Sequence, residues 1–143
     1  MTSHILQSLT IQARSTVLNL INDDCFKLLP TLADESIDLI LCDLPYNEGN
    51  RHPKTIQKFS RERERLHPTQ KPVALLEFLI KSYTQPNDLV LDCVMGSGST
   101  GVAAKNLGRK FIGIERDDEY FEIAKTRLFK GGIGLGIQEE FNL

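Results

Sequence analysis

The 143-residue chain has no tryptophan, and its three cysteines stand far apart without a C-x-x-C pair. This spacing does not favour a disulfide framework or a zinc ribbon, so we expect buried thiols in a reducing cytoplasm and no metal site. No apolar run approaches the roughly 18–20 residues that a membrane span needs. The first residues also lack the basic and apolar segments of a secretory signal. We therefore expect a single cytoplasmic domain without a membrane segment.

The chain also has little excess charge, with 17 Lys and Arg against 19 Asp and Glu, so overall charge does not indicate a nucleic-acid-binding domain. The distribution is uneven, however. From Asn50 to Lys71 there are seven basic and two acidic residues, a net charge of +5 that leaves −7 for the rest. Such a segment is either a solvated surface or a phosphate-facing one, since Lys and Arg displace the counterions of nucleic acids. Charge alone does not separate the two.

Four apolar segments alternate with helical patterns along the chain. We predict strands over 16–20, 37–42, 89–92 and 111–115, and helices near 26–29, 72–83, 99–107 and 118–129. This alternation predicts an α/β domain with a mostly parallel sheet. Ligands of such sheets bind where the carboxyl ends of the strands meet the following turns, and three motifs of this chain lie at or near such ends.

The first motif begins at Asp92, where a predicted strand runs into Met95-Gly96-Ser97-Gly98-Ser99, and Glu115 ends the next strand. Glycines let the backbone approach a ligand closely, and an acid on the second strand can bind ribose hydroxyls. The pattern favours a nucleoside cofactor, NAD(P) or S-adenosylmethionine, over a glycine turn that serves packing alone. Because Asp92 would repel a pyrophosphate but pair with the ammonium of a methionine moiety, it favours S-adenosylmethionine.

The second motif is His67-Pro68-Thr69-Gln70-Lys71-Pro72, which precedes the helix that leads to the Gly-rich strand. Its two prolines make the segment stiff and extended. Thr69 and Lys71 offer a hydroxyl and a cation for a carboxylate. A proline-bounded linker into a helix is the structural alternative.

The third motif is Asp43-Leu44-Pro45-Tyr46, directly after the predicted strand 37–42. A carboxylate, a backbone carbonyl beside a fixed proline and an aromatic ring can together hold a planar base that bears an amino group. Asp43 and the Leu44 carbonyl would accept the amino hydrogens, and Tyr46 would stack on the ring, a contact worth roughly 1–3 kcal/mol. A simple turn at the end of a strand explains the same residues without a ligand.

In content and order, these motifs resemble those of the β-class amino-methyltransferases, which methylate adenine N6 or cytosine N4 in DNA. The resemblance covers about Leu18–Tyr46 and Leu66–Leu128. It implies a Rossmann-like, S-adenosylmethionine-dependent methyltransferase sheet with helices on both faces. The sheet would be reduced to the strand order 3-2-1-4 of half a doubly wound sheet, in which the segment 37–42 is an edge strand. It further implies a site-specific DNA methyltransferase of the restriction-modification kind, with double-stranded DNA as its partner.

The resemblance also assigns roles to individual residues. The implied catalytic residues are Asp43, Leu44, Pro45 and Tyr46. The implied cofactor-binding residues are Asp24 for the adenine, Thr69 and Lys71 for the carboxylate end, Asp92 for the amine and Glu115 for the ribose, together with Asp43, Gly96, Ser97, Gly98 and Ser99.

Two positions depart from the family pattern. Leu44 replaces the first proline of D-P-P-Y and supplies the same backbone carbonyl with less rigidity. Asp92-Cys93-Val94 replaces D-P-F, which removes a proline and an aromatic ring near the cofactor.

A larger departure is the length of residues 47–66, where the family normally carries further strands and the part that reads DNA. About 20 residues span at most roughly 70 Å and cannot hold those elements. We expect one methyltransferase-like domain over 1–143, with 47–66 as a shortened basic loop. The strand 37–42 would then lie at an open edge, which is a pairing site for a second copy in a homodimer.

Several interpretations of function remain open at this point. The chain is either an active enzyme or an inactive, truncated S-adenosylmethionine-binding relic of one. A methyltransferase that acts on protein or RNA is a third interpretation. In those relatives, however, the D-P-P-Y-like box usually follows the Gly-rich loop, whereas here it precedes that loop. An NAD-binding dehydrogenase fragment is disfavoured by Asp92 and by the lack of a substrate domain.

Overall fold

The computed structural model describes residues 7–13, 16–42, 59–60, 66–68 and 70–129. Its elements are β1 (Gln7–Ala13), β2 (Thr16–Asn22), α1 (Cys25–Leu28), a 3-10 turn (Leu29–Thr31), β3 (Leu39–Ile40), α2 (Val73–Tyr83), β4 (Leu89–Asp92), α3 (Ser99–Asn106), β5 (Lys110–Glu115) and α4 (Asp118–Phe129). The Asp43–Tyr46 box, Thr69 and most of the basic segment lie outside the described residues.

Within these residues, five strands form one sheet in the order β1-β2-β5-β4-β3. The pairs β2–β5, β5–β4 and β4–β3 are parallel, which confirms the predicted α/β sheet. The order differs in detail from the predicted four-strand sheet, because β1 adds an antiparallel strand that covers the outer edge of β2. The sequence analysis did not predict β1.

The segment 37–42 lies at the other edge of the sheet, as predicted, but its strand is short. Only Leu39 and Ile40 pair in the ladder, opposite Val90 and Leu91. Backbone hydrogen bonds from Asp38 N to Leu89 O (3.0 Å) and from Leu41 N to Leu91 O (2.9 Å) extend the pairing on both sides. The strand is therefore held along its length to β4.

Alternate residues of each strand point to opposite faces, and each face has its own apolar core. On one face, strand residues such as Leu20, Val90 and Phe111 pack with α2, α3 and α4. On the other face, Leu91, Ile112 and Ile114 pack with Leu28 of α1. In the described part of the chain, helices therefore cover both faces, as predicted, with α2, α3 and α4 on one face and α1 with the 3-10 turn on the other.

The buried Arg109 ties the ends of two helices to the start of β5. Its guanidinium donates to Thr84 Oγ1 (3.0 Å) and Thr84 O (2.9 Å) after α2, and to Leu107 O (2.6 Å) after α3. Carbonyls at the end of a helix have no partner within the helix, so Arg109 supplies the missing donors.

We predict that Arg109→Met lowers the free energy of unfolding by about 3 kcal/mol, because it leaves buried carbonyls without donors. Urea unfolding of the two proteins measures the difference. Arg116, which is exposed directly after the end of β5, provides the control, and Arg116→Met should change stability by less than about 0.5 kcal/mol. Equal midpoints for Arg109→Met and the wild type would contradict this account.

Candidate functional site

A cavity of about 230 Å³ opens at the carboxyl ends of β4 and β5. Three stretches of the chain meet there, because parallel strands end at the same edge of the sheet. The lining residues are His67, Gln70, Lys71, Leu76, Asp92, Val94, Met95, Gly96, Ser97, Ser99, Thr100 and Glu115. The second motif and the Gly-rich motif of the sequence therefore share one cavity.

The Gly-rich loop follows β4 and is fixed by backbone hydrogen bonds to β5 and within the loop. Met95 N donates to Ile114 O (3.0 Å) on β5, and Gly98 N donates to Met95 O (2.9 Å). Gly98 has φ +77°, and a Cβ there would stand 2.9 Å from the Cβ of Ala124 on α4. Packing against α4 therefore requires glycine at this position, which shows that the loop also has the structural role considered as an alternative.

Asp92 lies at the end of β4 and is buried, with 4% of its surface exposed. Its Oδ2 accepts a hydrogen bond from Thr100 Oγ1 (2.6 Å), and its Oδ1 accepts one from Val94 N (3.2 Å). Burying an ionised carboxylate is costly unless hydrogen bonds or an opposite charge compensate. The two neutral donors hold the carboxylate in the cavity wall, where a cationic group of a ligand would stabilise it further.

Glu115 closes the opposite side of the cavity and fastens the loop to β5. Its Oε2 accepts from Gly96 N (2.8 Å), and its Oε1 accepts from Asp117 N (2.9 Å) before α4. A carboxylate oxygen has capacity for a second hydrogen bond, so the ribose role predicted for Glu115 is compatible with these contacts. The sequence analysis did not predict that the same side chain would organise the loop.

We expect Glu115→Gln to weaken the binding of any ligand of this loop about tenfold, since an amide has only one oxygen to accept two backbone donors. Isothermal titration with S-adenosylmethionine measures the change. Glu119→Gln, at an exposed position of α4, should leave the affinity unaltered. If both variants bind alike, Glu115 does not organise the site.

The segment around His67 packs on the Gly-rich loop. Gln70 Oε1 accepts from Leu66 N (2.9 Å) and from Ser97 Oγ (3.3 Å), which joins the two motifs. The centroids of the His67 and Tyr120 rings are 4.2 Å apart, and the two ring planes make an angle of 57°. The segment is therefore part of the cavity and not only a linker into α2.

Arg127 supports the loop from α4 and was missed by the sequence analysis. Its Nη1 donates to Ser97 O (3.1 Å), Ser97 Oγ (3.3 Å) and Ser99 Oγ (2.8 Å). The hydroxyls of both serines are therefore bonded within the protein. Nothing in the sequence around Arg127 signals this contact, which depends on how α4 packs.

The residues predicted to bind a cofactor fall into three groups. Six of them line the cavity: Lys71, Asp92, Gly96, Ser97, Ser99 and Glu115. Gly98 lies against α4. Asp24 caps α1 by accepting a hydrogen bond from Phe26 N (2.9 Å), and it is not among the described residues that line the cavity. The predicted residues Asp43, Leu44, Pro45, Tyr46 and Thr69 lie outside the described residues. The roles of all the predicted site residues, including those that line the cavity, stay predictions.

Other lining residues were not assigned roles from the sequence. His67 and Gln70 belong to a motif that was recognised, and Val94 and Met95 adjoin the Gly-rich loop, so a motif signal was present. Thr100 stands within the G-x-G-x-x-G pattern of residues 96–101, so the same signal covered it. Among the described residues, no three His, Cys, Asp or Glu side chains are grouped to hold a metal ion, and none of the helices is long and apolar enough to cross a membrane.

The sequence of this chain is similar to those of DNA-modifying enzymes. A family model described as DNA methylase, for N6 and N4 methyltransferases, matches residues 52–126. The type II methyltransferase M2.LlaDCHI of Lactococcus lactis subsp. cremoris is 60% identical over 65 residues, which are 46% of this chain and 24% of that protein. The type II methyltransferase M.HinfI of Haemophilus influenzae is 51% identical over 67 residues, or 47% and 19% of the two chains.

A solved structure is similar over more of the chain. The crystal structure of an M1.HpyAVI–SAM complex superposes with a TM-score of 0.61 at 26% identity and covers 78% of this chain and 100% of that chain. By contrast, the chain matches about a quarter or less of the length of the two curated relatives.

Proposed function

This chain belongs to the DNA methylase family, and we propose that it transfers a methyl group from S-adenosylmethionine to adenine N6 or cytosine N4 of double-stranded DNA. The observation that carries the proposal is the cavity at the Gly-rich turn, which is lined by the buried Asp92, the loop-bound Glu115 and Lys71. The similarity to a structure solved as a SAM complex supports the same cofactor. We place this activity in the cytoplasm.

The charges of the cavity fit S-adenosylmethionine better than NAD(P). This cofactor carries two cationic groups, a sulfonium and an ammonium, and one carboxylate. The described lining offers two carboxylates, Asp92 and Glu115, and one ammonium, Lys71. The pyrophosphate of NAD(P) would bring two negative charges to a loop that begins at a buried acid, which is unfavourable at short range.

Each cofactor role then falls to a residue with suitable chemistry. Asp92 would pair with the ammonium, and Lys71 with Thr69 would bind the carboxylate, as charge-assisted hydrogen bonds. Glu115 would accept hydrogen bonds from the ribose hydroxyls. Asp24 would contact the adenine, and the backbone of Gly96–Ser99 would pass close to the ligand.

The bound cofactor supplies a methyl group on a positively charged sulfur. The residues of the Asp43–Tyr46 box would hold the target base, with Asp43 and the Leu44 carbonyl accepting the amino hydrogens and Tyr46 stacking on the ring. Those hydrogen bonds favour a more tetrahedral nitrogen, whose lone pair is otherwise delocalised into the base. Positioning supplies much of the remaining rate. The base must leave the duplex to reach this box, at a cost of a few kcal/mol.

The basic segment and the sheet edge suggest how the chain would meet its partners. Residues 47–66 would form a shortened basic loop that contacts DNA phosphates within a single domain over 1–143. At β3, Ile40 is 62% exposed, and no strand among the described residues pairs with its outer side. A second copy could add its own strand there, giving a homodimer.

A transfer assay tests the proposed function. The purified chain is incubated with S-adenosylmethionine labelled in its methyl group and with genomic DNA, and the digested nucleosides are separated by mass spectrometry. We expect label in N6-methyladenine or N4-methylcytosine, and a loss of signal at high salt, where phosphate contacts weaken. A chain that binds the cofactor but labels neither nucleoside would be the inactive relic, and the enzyme proposal would fail.

A further inference from the structure

Two cysteines that are far apart in the sequence meet at the cavity end of the sheet. Cys42 Sγ lies 3.0 Å from Cys93 Sγ, and Cys93 N donates to Cys42 Sγ at 3.3 Å. Both thiols are free and partly accessible to solvent. Their separation of 51 residues equals the offset of the Leu39–Val90 and Ile40–Leu91 ladder pairs, so they continue the register of β3 and β4.

This placement suits a covalent link. Neighbouring strands run about 4.8 Å apart, within the range of Cα separations that disulfides bridge. A disulfide bond is about 2.05 Å long, so the two sulfurs need to approach by about 1 Å only. The strand register, and not a flexible loop, brings them together.

The two thiols differ in environment. Burial, then the hydrogen bond with Cys42, and then the charges of Cys42, Cys25 and Asp92 together raise the pKa of the Cys93 thiol to about 12. The Cys93 thiolate is therefore disfavoured while both thiols are reduced, so an exchange reaction would start with attack by Cys42. Cys25 packs against the same core cluster as Cys93, which makes it the one competing partner within reach among the described residues.

We propose that Cys42 and Cys93 form a redox-active dithiol, which closes to an intramolecular disulfide by exchange with a small-molecule disulfide such as oxidised glutathione. The inference concerns the thiols alone and does not depend on the proposed methyl transfer.

The exchange is balanced in two steps. The Cys42 thiolate attacks one sulfur of oxidised glutathione, the glutathione S–S bond breaks, and the leaving thiolate takes up the proton that Cys42 lost. The Cys93 thiol then releases its proton and attacks the Cys42 sulfur, which expels the second glutathione as its thiol. The two electrons of the protein thiols thus reduce one oxidised glutathione to two reduced molecules.

The position of the bond gives it a structural effect. It would join the residue before Asp43 to the residue after Asp92, and would enclose residues 43–92, including the basic segment, in a covalent loop. A loop of this length restricts the unfolded chain strongly, so the oxidised protein should melt at least about 5 °C higher than the reduced protein.

The test uses the full chain in buffers that contain reduced and oxidised glutathione in varied ratios. After acid quenching, free thiols are alkylated in denaturant and the protein is analysed by mass spectrometry with peptide mapping. We expect a species that has lost two hydrogen atoms, retains one alkylatable thiol at Cys25 and carries a Cys42–Cys93 link. Dithiothreitol should restore all three thiols.

Three variants make the result specific. Cys25→Ser should form the link as the wild type does, whereas Cys42→Ser and Cys93→Ser should form no internal link. Far-UV circular dichroism and the melting temperature of each reduced variant establish that it is folded. The proposal is overturned if the wild type keeps three alkylatable thiols in oxidised glutathione, if it links Cys25 instead, or if it links two molecules.

Discussion

Asp92→Asn is expected to weaken the binding of S-adenosylmethionine about 100-fold, because it removes the negative charge of the desolvated ion pair proposed between Asp92 and the cofactor ammonium. The asparagine is close in shape to the aspartate. Its amide nitrogen can donate to Thr100 Oγ1 and its oxygen can accept from Val94 N, so both of these contacts have replacements. The expected loss therefore reports on the charge and not on the fold. Isothermal titration measures it.

Two controls separate the charge from its surroundings. Thr100→Val keeps the carboxylate but removes one donor, so we expect a loss of affinity of only about fivefold. Asp34→Asn changes an exposed acid away from the cavity and should have no effect. Wild-type affinity in Asp92→Asn would show that the buried acid serves the loop alone.

Asp43→Ala is expected to reduce methyl transfer at least about 1,000-fold, since Asp43 is proposed to accept a hydrogen bond that positions the reacting amino group. The affinity for S-adenosylmethionine should stay within about threefold, because the lining residues of the cavity are unchanged. The labelled-methyl assay and titration of the same preparation measure the two quantities. A loss of methyl transfer without a loss of cofactor affinity distinguishes a residue that binds the base from one that binds the cofactor.

Asp34→Ala serves as the matched control, because it removes an exposed carboxylate elsewhere in the chain. It should transfer methyl groups as the wild type does. Equal rates in Asp43→Ala and the wild type would remove Asp43 from the proposed mechanism, and a parallel loss of cofactor binding would give it the cofactor role instead.

Local signals account for what the sequence predicted well. The strand 89–92, the turn at Gly96–Gly98 and the helix 118–129 are bounded by glycines, prolines or acids whose preferences act over a few residues. Pro72 caps α2, which begins at Val73, one residue later than predicted from the preference of proline for the start of a helix. The cavity was predictable because the motifs follow strands whose ends meet at one edge.

Contacts between distant parts of the chain account for the rest. β1 forms an antiparallel hairpin with β2, and this pairing depends on the position of β2 in the sheet, which the sequence of β1 alone does not give. Arg127 reaches Ser97 and Ser99 because α4 packs across the loop, which no motif encodes. The cysteines were expected to be separate buried thiols, yet the β3–β4 register brings Cys42 to Cys93. Sequence spacing alone does not reveal such pairs.

The measurement that tests the account most directly is isothermal titration of the purified chain with S-adenosylmethionine, with NAD as the comparison ligand. The charges of Asp92, Glu115 and Lys71 predict binding of S-adenosylmethionine at micromolar concentrations, weaker binding in Glu115→Ala and no binding of NAD. Circular dichroism of the same sample establishes that the chain is folded. A folded chain that binds NAD, or neither ligand, would contradict the assignment of this cavity to S-adenosylmethionine.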